Sequence, residues 1–150
     1  MNPLRLMFTT LAAFVLLTGT AGVPAFAMTD GRTSDDRPFV SGGVDDAEVA
    51  DIRTKQPSYS LSLLTAARSG AYLAGVKVRI TDGAGKAILL ETEMDGPYLL
   101  VDLQPGTYQL EAVNEGGEKQ KRTVTLRKGA PQRLVLYFKS YAEVSPDLKQ

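Results

Sequence analysis

The 150-residue chain contains no cysteine, no histidine and no tryptophan. Without cysteine it has no disulfide, no thiolate nucleophile and no thiolate metal site. Without histidine it lacks the commonest general base and the commonest transition-metal ligand. Since the remaining residues show no obvious nucleophile–base pair, we expect a protein that is not an enzyme, with no catalytic residue, no cofactor and no metal. An unfamiliar site built from carboxylic acids is the enzymatic alternative.

An excess of charge of one sign is also missing, because 17 basic residues balance 17 acidic ones. Such a chain builds no strong field for DNA, RNA or anionic lipid, and nucleic acid is not an expected partner. The basic residues of 119–128 have glutamates nearby, so we interpret them as a solvated strand face, with an acidic partner surface as the alternative. Asp82, Asp95 and Asp102 are too scattered for a calcium loop, and we interpret them as turn-capping residues.

Long hydrophobic runs are absent except at the N-terminus. Leu6–Leu17 carry no charge, but these 12 residues are too few for an ordinary membrane span of ~20 residues. Arg5 precedes this run, and Ala25-Phe26-Ala27 matches a small-x-small cleavage site. Residues 1–27 are therefore predicted to be a secretory signal peptide cleaved after Ala27, with an uncleaved anchor as the alternative. Cleavage would leave a periplasmic or secreted protein without a membrane span. The short basic segment and the cleavage pattern resemble those of bacteria, so we expect a protein of the bacterial cell envelope.

Residues 28–57 are predicted to be a flexible leader that contains one short helix. Met28–Gly43 is polar, and its two sizeable hydrophobes bury too little surface to order it locally. Asp45 and Glu48 form the pattern of a capping box, and acidic residues suit a helix N-terminus. This pattern predicts a helix over about residues 46–55, and it leaves open whether the helix docks on the rest of the protein.

From Ser58 onwards the hydrophobic residues recur with a period of two, which is typical of strands buried on one face. Seven short runs with apolar residues, not all of them strictly alternating, are separated by turns rich in Gly, Asn, Asp and Pro. The predicted strands are Tyr59–Leu63, Val76–Ile80, Ala87–Thr92, Tyr98–Asp102, Tyr108–Ala112, Lys119–Leu126 and Arg133–Phe138. We expect an all-β, seven-stranded antiparallel sandwich over residues 58–139, followed by a polar tail over residues 140–150.

The stretch Asp95–Leu110, DGPYLLVDLQPGTYQL, is predicted to be a hairpin rather than a binding loop. Proline followed by glycine at the centre of a turn indicates a type II turn. Tyrosine rings beside such a turn are expected to lie in the core or at its edge. The residues that we interpret in this way, as turn or core, are Gly96, Tyr98, Pro105, Gly106 and Tyr108.

These motifs resemble the carboxypeptidase regulatory-like domain, a transthyretin-like and Ig-like β-sandwich. The resemblance combines Asp-Gly-x-Tyr at Asp95–Tyr98 with Leu-x-Pro-Gly-x-Tyr at Leu103–Tyr108, and it extends from about Tyr72 to Phe138. It implies a non-catalytic domain that is accessory to another protein. Pro97 departs from the family pattern and predicts a strand start or edge. Hydroxyisourate hydrolase, an enzyme of similar fold, uses histidines that this chain lacks.

The sequence names no ligand, so it predicts contact surfaces only in outline. Tyr72 and Leu73 lie in a loop-like stretch that is rich in small residues. Arg133–Phe138 is apolar on both faces, so Val135 and Tyr137 are candidate contacts for a partner, including one that adds a strand. The expected partner is an unknown protein or glycan of the cell envelope, and the oligomeric state is open. The alternative is a structural subunit or stabiliser of an envelope complex.

Overall fold

Nine β-strands and one α-helix follow one another through residues 28–139, the part of the chain that the computed structural model describes. The elements are β1 (Thr29–Arg32), β2 (Pro38–Gly42), α1 (Asp46–Lys55), β3 (Leu61–Ala67), β4 (Lys77–Asp82), β5 (Ile88–Glu93), β6 (Tyr98–Val101), β7 (Gly106–Val113), β8 (Lys119–Leu126) and β9 (Gln132–Phe138). The predicted signal peptide and the polar tail lie outside the described residues.

The strands form two sheets that pack face to face. Sheet A has the order β1-β2-β6-β3-β9, and sheet B has the order β5-β4-β7-β8. Neighbouring strands are antiparallel except for β3 and β9, which run parallel from the pair Leu61–Gln132 to the pair Ala67–Phe138. The prediction of a fully antiparallel sandwich is therefore wrong at this pair. The chain enters β9 from β8, which belongs to sheet B, so β9 joins β3 by a crossover between the sheets and not through a hairpin.

The alternating apolar residues of the strands fill the space between the two sheets. Sheet A contributes Leu61, Leu63, Leu99, Val101, Leu136 and Phe138, and sheet B contributes Val78, Ile80, Leu90, Leu110, Ala112 and Leu126. Full burial of each large side chain stabilises the fold by roughly 1.5–3 kcal/mol. Because every second residue faces this core, the other residues of each strand are left for the outer faces of the sandwich.

The prediction of a flexible leader is wrong for its first half, and this accounts for nine strands instead of seven. β1 and β2 form a hairpin, and β2 pairs with β6 in sheet A. Phe39 packs into the core while Val40 is buried on the opposite face. At the hairpin tip, Ser34 donates its N–H and its hydroxyl to carbonyls of β5, at 2.8 and 3.0 Å. Pairing with a distant strand thus orders this segment, although its amino-acid composition alone does not predict order.

Helix α1 has the bounds that the capping pattern predicts. Asp45 accepts the backbone N–H of Glu48 at 2.8 Å. In turn Glu48 accepts the N–H groups of Gly43 and Val44, each at 2.9 Å. The glutamate thus reaches back beyond Asp45 itself, which anchors the helix start to the end of β2.

The helix docks on the outer face of sheet A. Ile52 is fully buried, and it packs in a second apolar cluster with Val40 of β2 and Leu100 of β6. Tyr59 and Tyr98 pack against the same cluster. Since this cluster lies over β2 and β6, the helix leaves the part of the outer face over β3 and β9 uncovered.

The two glycine-rich turns connect β4 to β5 and β7 to β8 as antiparallel hairpins. The side chains of Asp82 and Asn114 each accept a backbone N–H four residues later, at 2.8 Å. Gly85 and Gly117 have φ angles of 71° and 83°, a conformation that glycine adopts without steric cost. Asp82 is therefore a turn-capping residue.

The stretch Asp95–Leu110 is not a hairpin. β6 belongs to sheet A and β7 to sheet B, so the segment around Pro105 crosses from one sheet to the other. Gly106 has a φ of 157° and is the first residue of β7, whereas a type II turn needs about 80°. The hydroxyl of Tyr108 donates to the carbonyl of Gln104 at 2.7 Å across this connection. Alternation predicts a buried face for each strand, but it does not say to which sheet the strand belongs.

Candidate partner-binding face

Strand pairing brings five apolar side chains together on the outer face of sheet A. Leu64 of β3 lies between Tyr98 of β6 and Val135 of β9. The next outward residue of β3 lies in the same way between Tyr72 and Tyr137. Directly paired residues of adjacent strands share one face of a sheet. We call this set, Leu64, Tyr72, Tyr98, Val135 and Tyr137, the apolar face.

The apolar face is open to solvent. Tyr72, Val135 and Tyr137 are 62%, 40% and 55% exposed, and they are three of the five large hydrophobic residues exposed within 28–139. The rings of Tyr72 and Tyr98 lie with their centroids 6.4 Å apart at a tilt of 55°. Large apolar side chains clustered on one exposed surface are typical of an interaction site.

A groove of about 230 Å³ runs beside the apolar face, between α1 and β9. Its lining includes Arg53, Gln56, Ser62, Leu64, Arg133 and Val135. The floor is formed by β3, and each of the two walls carries an exposed arginine. The groove therefore combines apolar and cationic surface in one place.

Strand β9 is the last strand of sheet A and has a free edge. The N–H of Gln132 and the carbonyl of Phe138 bond toward β3, at 2.9 and 2.8 Å. Since backbone groups alternate along a strand, those of Arg133 and Val135 point away from β3, in the plane of the sheet. We call them the outward backbone groups. Within the described part of the chain, these outward groups of the two residues have no hydrogen-bond partner.

The far end of the β9 edge is covered by β8. The carbonyl of Tyr137 accepts the side-chain amide of Gln120 at 3.2 Å, and the N–H of Lys139 donates to Glu118 at 2.7 Å. The free part of the edge is therefore the half around Arg133 and Val135, whose side chains line the groove.

Three of the four predicted contact residues lie on the apolar face, and Leu73 does not. Leu73 is half-buried against the main core, and its backbone bonds to Thr65 at 3.1 and 2.7 Å. Sequence reasoning missed Leu64, Ser62 and Arg53, because only the strand register and the docking of α1 bring them to this surface. The apolar residue at 64 breaks the alternation of β3, which is the one signal that marks it.

Gly96 and Tyr108, which we interpret from the sequence as a turn and a core residue, both lie in closely packed surroundings. A Cβ atom at position 96 would overlap the backbone carbonyl of Gly42 on β2. Tyr108 is half-buried against the core, and burial raises the pKa of its hydroxyl. Tyr98 packs on the outer side of sheet A instead, in the cluster under α1. Its ring therefore connects the apolar face to the helix.

The outer face of sheet B is charged, and several of its charges are paired. Arg79 lies 3.0 Å from Glu91, while Glu111 lies 3.2 Å from Lys119 and 3.4 Å from Lys121. The hydrogen bond from Lys119, assisted by Lys121, holds the pKa of Glu111 below its usual value. This pairing agrees with the interpretation of the basic stretch as a solvated strand face.

Within residues 28–139, no group of three or more acidic residues is placed to hold a metal ion. Asp102 instead forms an ion pair with Arg37 at 3.2 Å, and Asp95 donates its backbone N–H to Ser41 at 2.9 Å. None of the helices in the same range is long and apolar enough to cross a membrane.

Two β-sheets packed face to face around one apolar core form a β-sandwich domain. The sequence profile of the carboxypeptidase regulatory-like domain matches residues 63–139, just over half of the chain. The chain therefore belongs to this family, as its motifs predict, and the domains of the family are non-catalytic. The chain shows no significant similarity to any curated protein. The matched region begins within β3, so the β1–β2 hairpin and α1 precede it.

Proposed function

We propose that the protein is an exported, non-enzymatic binding module of the bacterial cell envelope, which holds a protein partner on its apolar face. The observation that carries this proposal is the exposure of Tyr72, Val135 and Tyr137 side by side on one sheet face. A non-catalytic family supports a role in binding, and the predicted signal peptide over residues 1–27 supports export.

A protein partner is favoured over a glycan. The free edge of β9 offers outward backbone donors and acceptors that match another main chain. Sugar-binding platforms usually rely on broad aromatic rings, and this chain has no tryptophan. The exposed tyrosines are also spread among aliphatic side chains, as in protein interfaces.

Capture from an envelope extract tests this proposal. Immobilised protein comprising residues 28–150 is incubated with envelope extract of the source organism, and retained proteins are identified by mass spectrometry. Val135→Glu should abolish retention, because it places a charge at the centre of the apolar face. Ile88→Glu is the matched control, since Ile88 is 47% exposed but lies on β5 of the other sheet. Equal retention by both variants would contradict the proposal.

A structural subunit that assembles through β9 is the second candidate. The outward backbone groups of Arg133 and Val135 favour it, because a free edge pairs equally well with a second copy of the chain. Light scattering of the purified protein over a range of concentrations distinguishes the two functions. A stable dimer that Val135→Pro converts to monomer supports the structural subunit, while a monomer at all concentrations excludes self-assembly through this edge.

A further inference from the structure

We infer that the groove between α1 and β9 recognises a carboxylate on an extended segment of the partner polypeptide. This inference rests on the proposed function and names the chemistry of the partner. Three groups would bind the carboxylate: the guanidinium groups of Arg53 and Arg133, and the hydroxyl of Ser62.

The two arginines of the groove are exposed and have no carboxylate within ion-pair distance among residues 28–139. Arg68, Arg122 and Arg127 also lack an ion pair, so what distinguishes Arg53 and Arg133 is that both line one groove. Two unpaired guanidinium groups on opposite walls of one groove provide the planar donors that bind a carboxylate well.

Ser62 supplies an independent observation. It is only 5% exposed and lies on the groove floor, yet its hydroxyl has no hydrogen-bond partner among residues 28–139. By contrast, the hydroxyl groups of Ser41 and Ser60 both form hydrogen bonds with backbone groups. Among the described residues, the buried side-chain polar atom that lacks a partner is Nε of Arg37, so the Oγ atom of Ser62 reaches the open groove. A ligand oxygen in the groove can therefore accept this hydroxyl without displacing a protein partner.

The surroundings of these donors fit a polypeptide. Leu64 and Val135 give the groove an apolar side, and its volume of about 230 Å³ suits one or two side chains. The backbone groups of Arg133 and Val135 point away from β3, so a main chain that pairs with them lies on the far side of β9 and reaches the groove with its side chains. In an extended segment, alternate side chains point the same way, so an acidic residue can enter the groove while its neighbours cover the apolar face.

A peptide titration followed by NMR tests the inference. The probe is an acetylated and amidated peptide, Thr-Val-Glu-Val-Thr-Val, titrated into ¹⁵N-labelled protein of residues 28–150, and its counterpart carries Gln in place of Glu. We expect amide shifts in β3 and β9, and a Kd at least about tenfold higher for the glutamine peptide. Added NaCl should weaken only the binding of the glutamate peptide.

Variants assign the effect to the three groups. Arg53→Gln and Arg133→Gln should each reduce the difference between the two peptides, whereas Arg122→Gln on β8 should not. Ser62→Ala should weaken binding of the glutamate peptide without lowering the free energy of unfolding, since the hydroxyl has no partner to lose. A merely structural role for this serine would instead lower stability.

The outcomes separate this inference from the proposed function. Equal binding of both peptides along β9, or shifts outside the groove, would overturn carboxylate recognition and leave the apolar face as the contact surface. Absence of shifts at about millimolar peptide would overturn it as well. If envelope capture is lost with Val135→Glu but unchanged with Arg133→Gln, the proposed function stands and the inference fails.

Discussion

Replacing Gly96 by alanine should loosen strand β2 from the sandwich. A Cβ atom at this position would overlap the carbonyl of Gly42 and would lie only 3.0 Å from the Cα atom of Gly42. Gly42 is the last residue of β2 and pairs with Tyr98. Ser41, its neighbour, accepts the N–H of Asp95 at 2.9 Å. The substitution therefore acts where the family motif contacts the β1–β2 hairpin.

The expected loss of stability is about 2–4 kcal/mol. Overpacking a tight site usually costs roughly 1–3 kcal/mol, and here the obstacle is a main chain that does not rotate away. If β2 moves out of place, Phe39 and Val40 become less buried, and each can lose up to roughly 1.5–3 kcal/mol of stabilisation. Alanine also lowers the conformational entropy of the unfolded chain, which offsets about 0.4–1 kcal/mol of this loss. The net loss is a large part of the roughly 5–15 kcal/mol that stabilises a typical domain.

Urea denaturation followed by circular dichroism measures this loss, and Gly70→Ala is the matched control. A Cβ atom at position 70 would have no atom within 4 Å, but the φ of 94° leaves a backbone strain of about 1–2 kcal/mol. The smaller entropy of the unfolded variant offsets part of that strain. If Gly96→Ala is no less stable than Gly70→Ala, close approach is not the reason for a glycine at position 96.

Two further predictions concern the helix and the charged face. Asp45→Ala should lower the free energy of unfolding by about 1 kcal/mol and Asp45→Asn by much less, because asparagine still caps the helix; urea titration of both variants measures this. For Glu111, Lys119 and Lys121 lower the pKa of the carboxyl group in the folded state. The ionised carboxylate therefore stabilises the folded state at pH values above the ordinary glutamate pKa. This stabilisation is lost as the pH falls through the lower pKa of the folded state. Glu111→Gln should therefore be less stable than the wild type by at most about 1 kcal/mol at pH 7, and the difference should vanish in acid; a difference that persists there contradicts the ion pairs.

Local sequence patterns predict the elements of this fold well. All seven predicted strands from Tyr59 to Phe138 are strands in the structure, and the capping residues Asp45 and Glu48 correctly mark the start of α1. These features depend on neighbours within a few residues, such as the period of a strand or the side chain of a cap. For this reason they can be read from the sequence alone.

Pairing between distant segments is what the sequence does not reveal. The hairpin of β1 and β2 is ordered by β6, and the crossover at Pro105 depends on which sheet each strand joins. The candidate site has the same limitation. Its exposed residues Val135 and Tyr137 are visible as apolar positions on a two-faced strand, whereas Ser62 and Arg53 reach the groove only through register and helix docking.

The parallel pairing of β3 and β9 determines when the chain can complete its fold. Leu61 lies beside Gln132, about 70 positions later, so closing this contact carries a large loop entropy and slows folding. β3 has no neighbour at all until β6 has been synthesised, and it gains its second neighbour only with the last strand. A chain emerging from the ribosome therefore stays incompletely folded until nearly all of it is present. Such late closure is compatible with the export that we propose, in which the chain would cross a membrane as an extended polypeptide before the native structure forms.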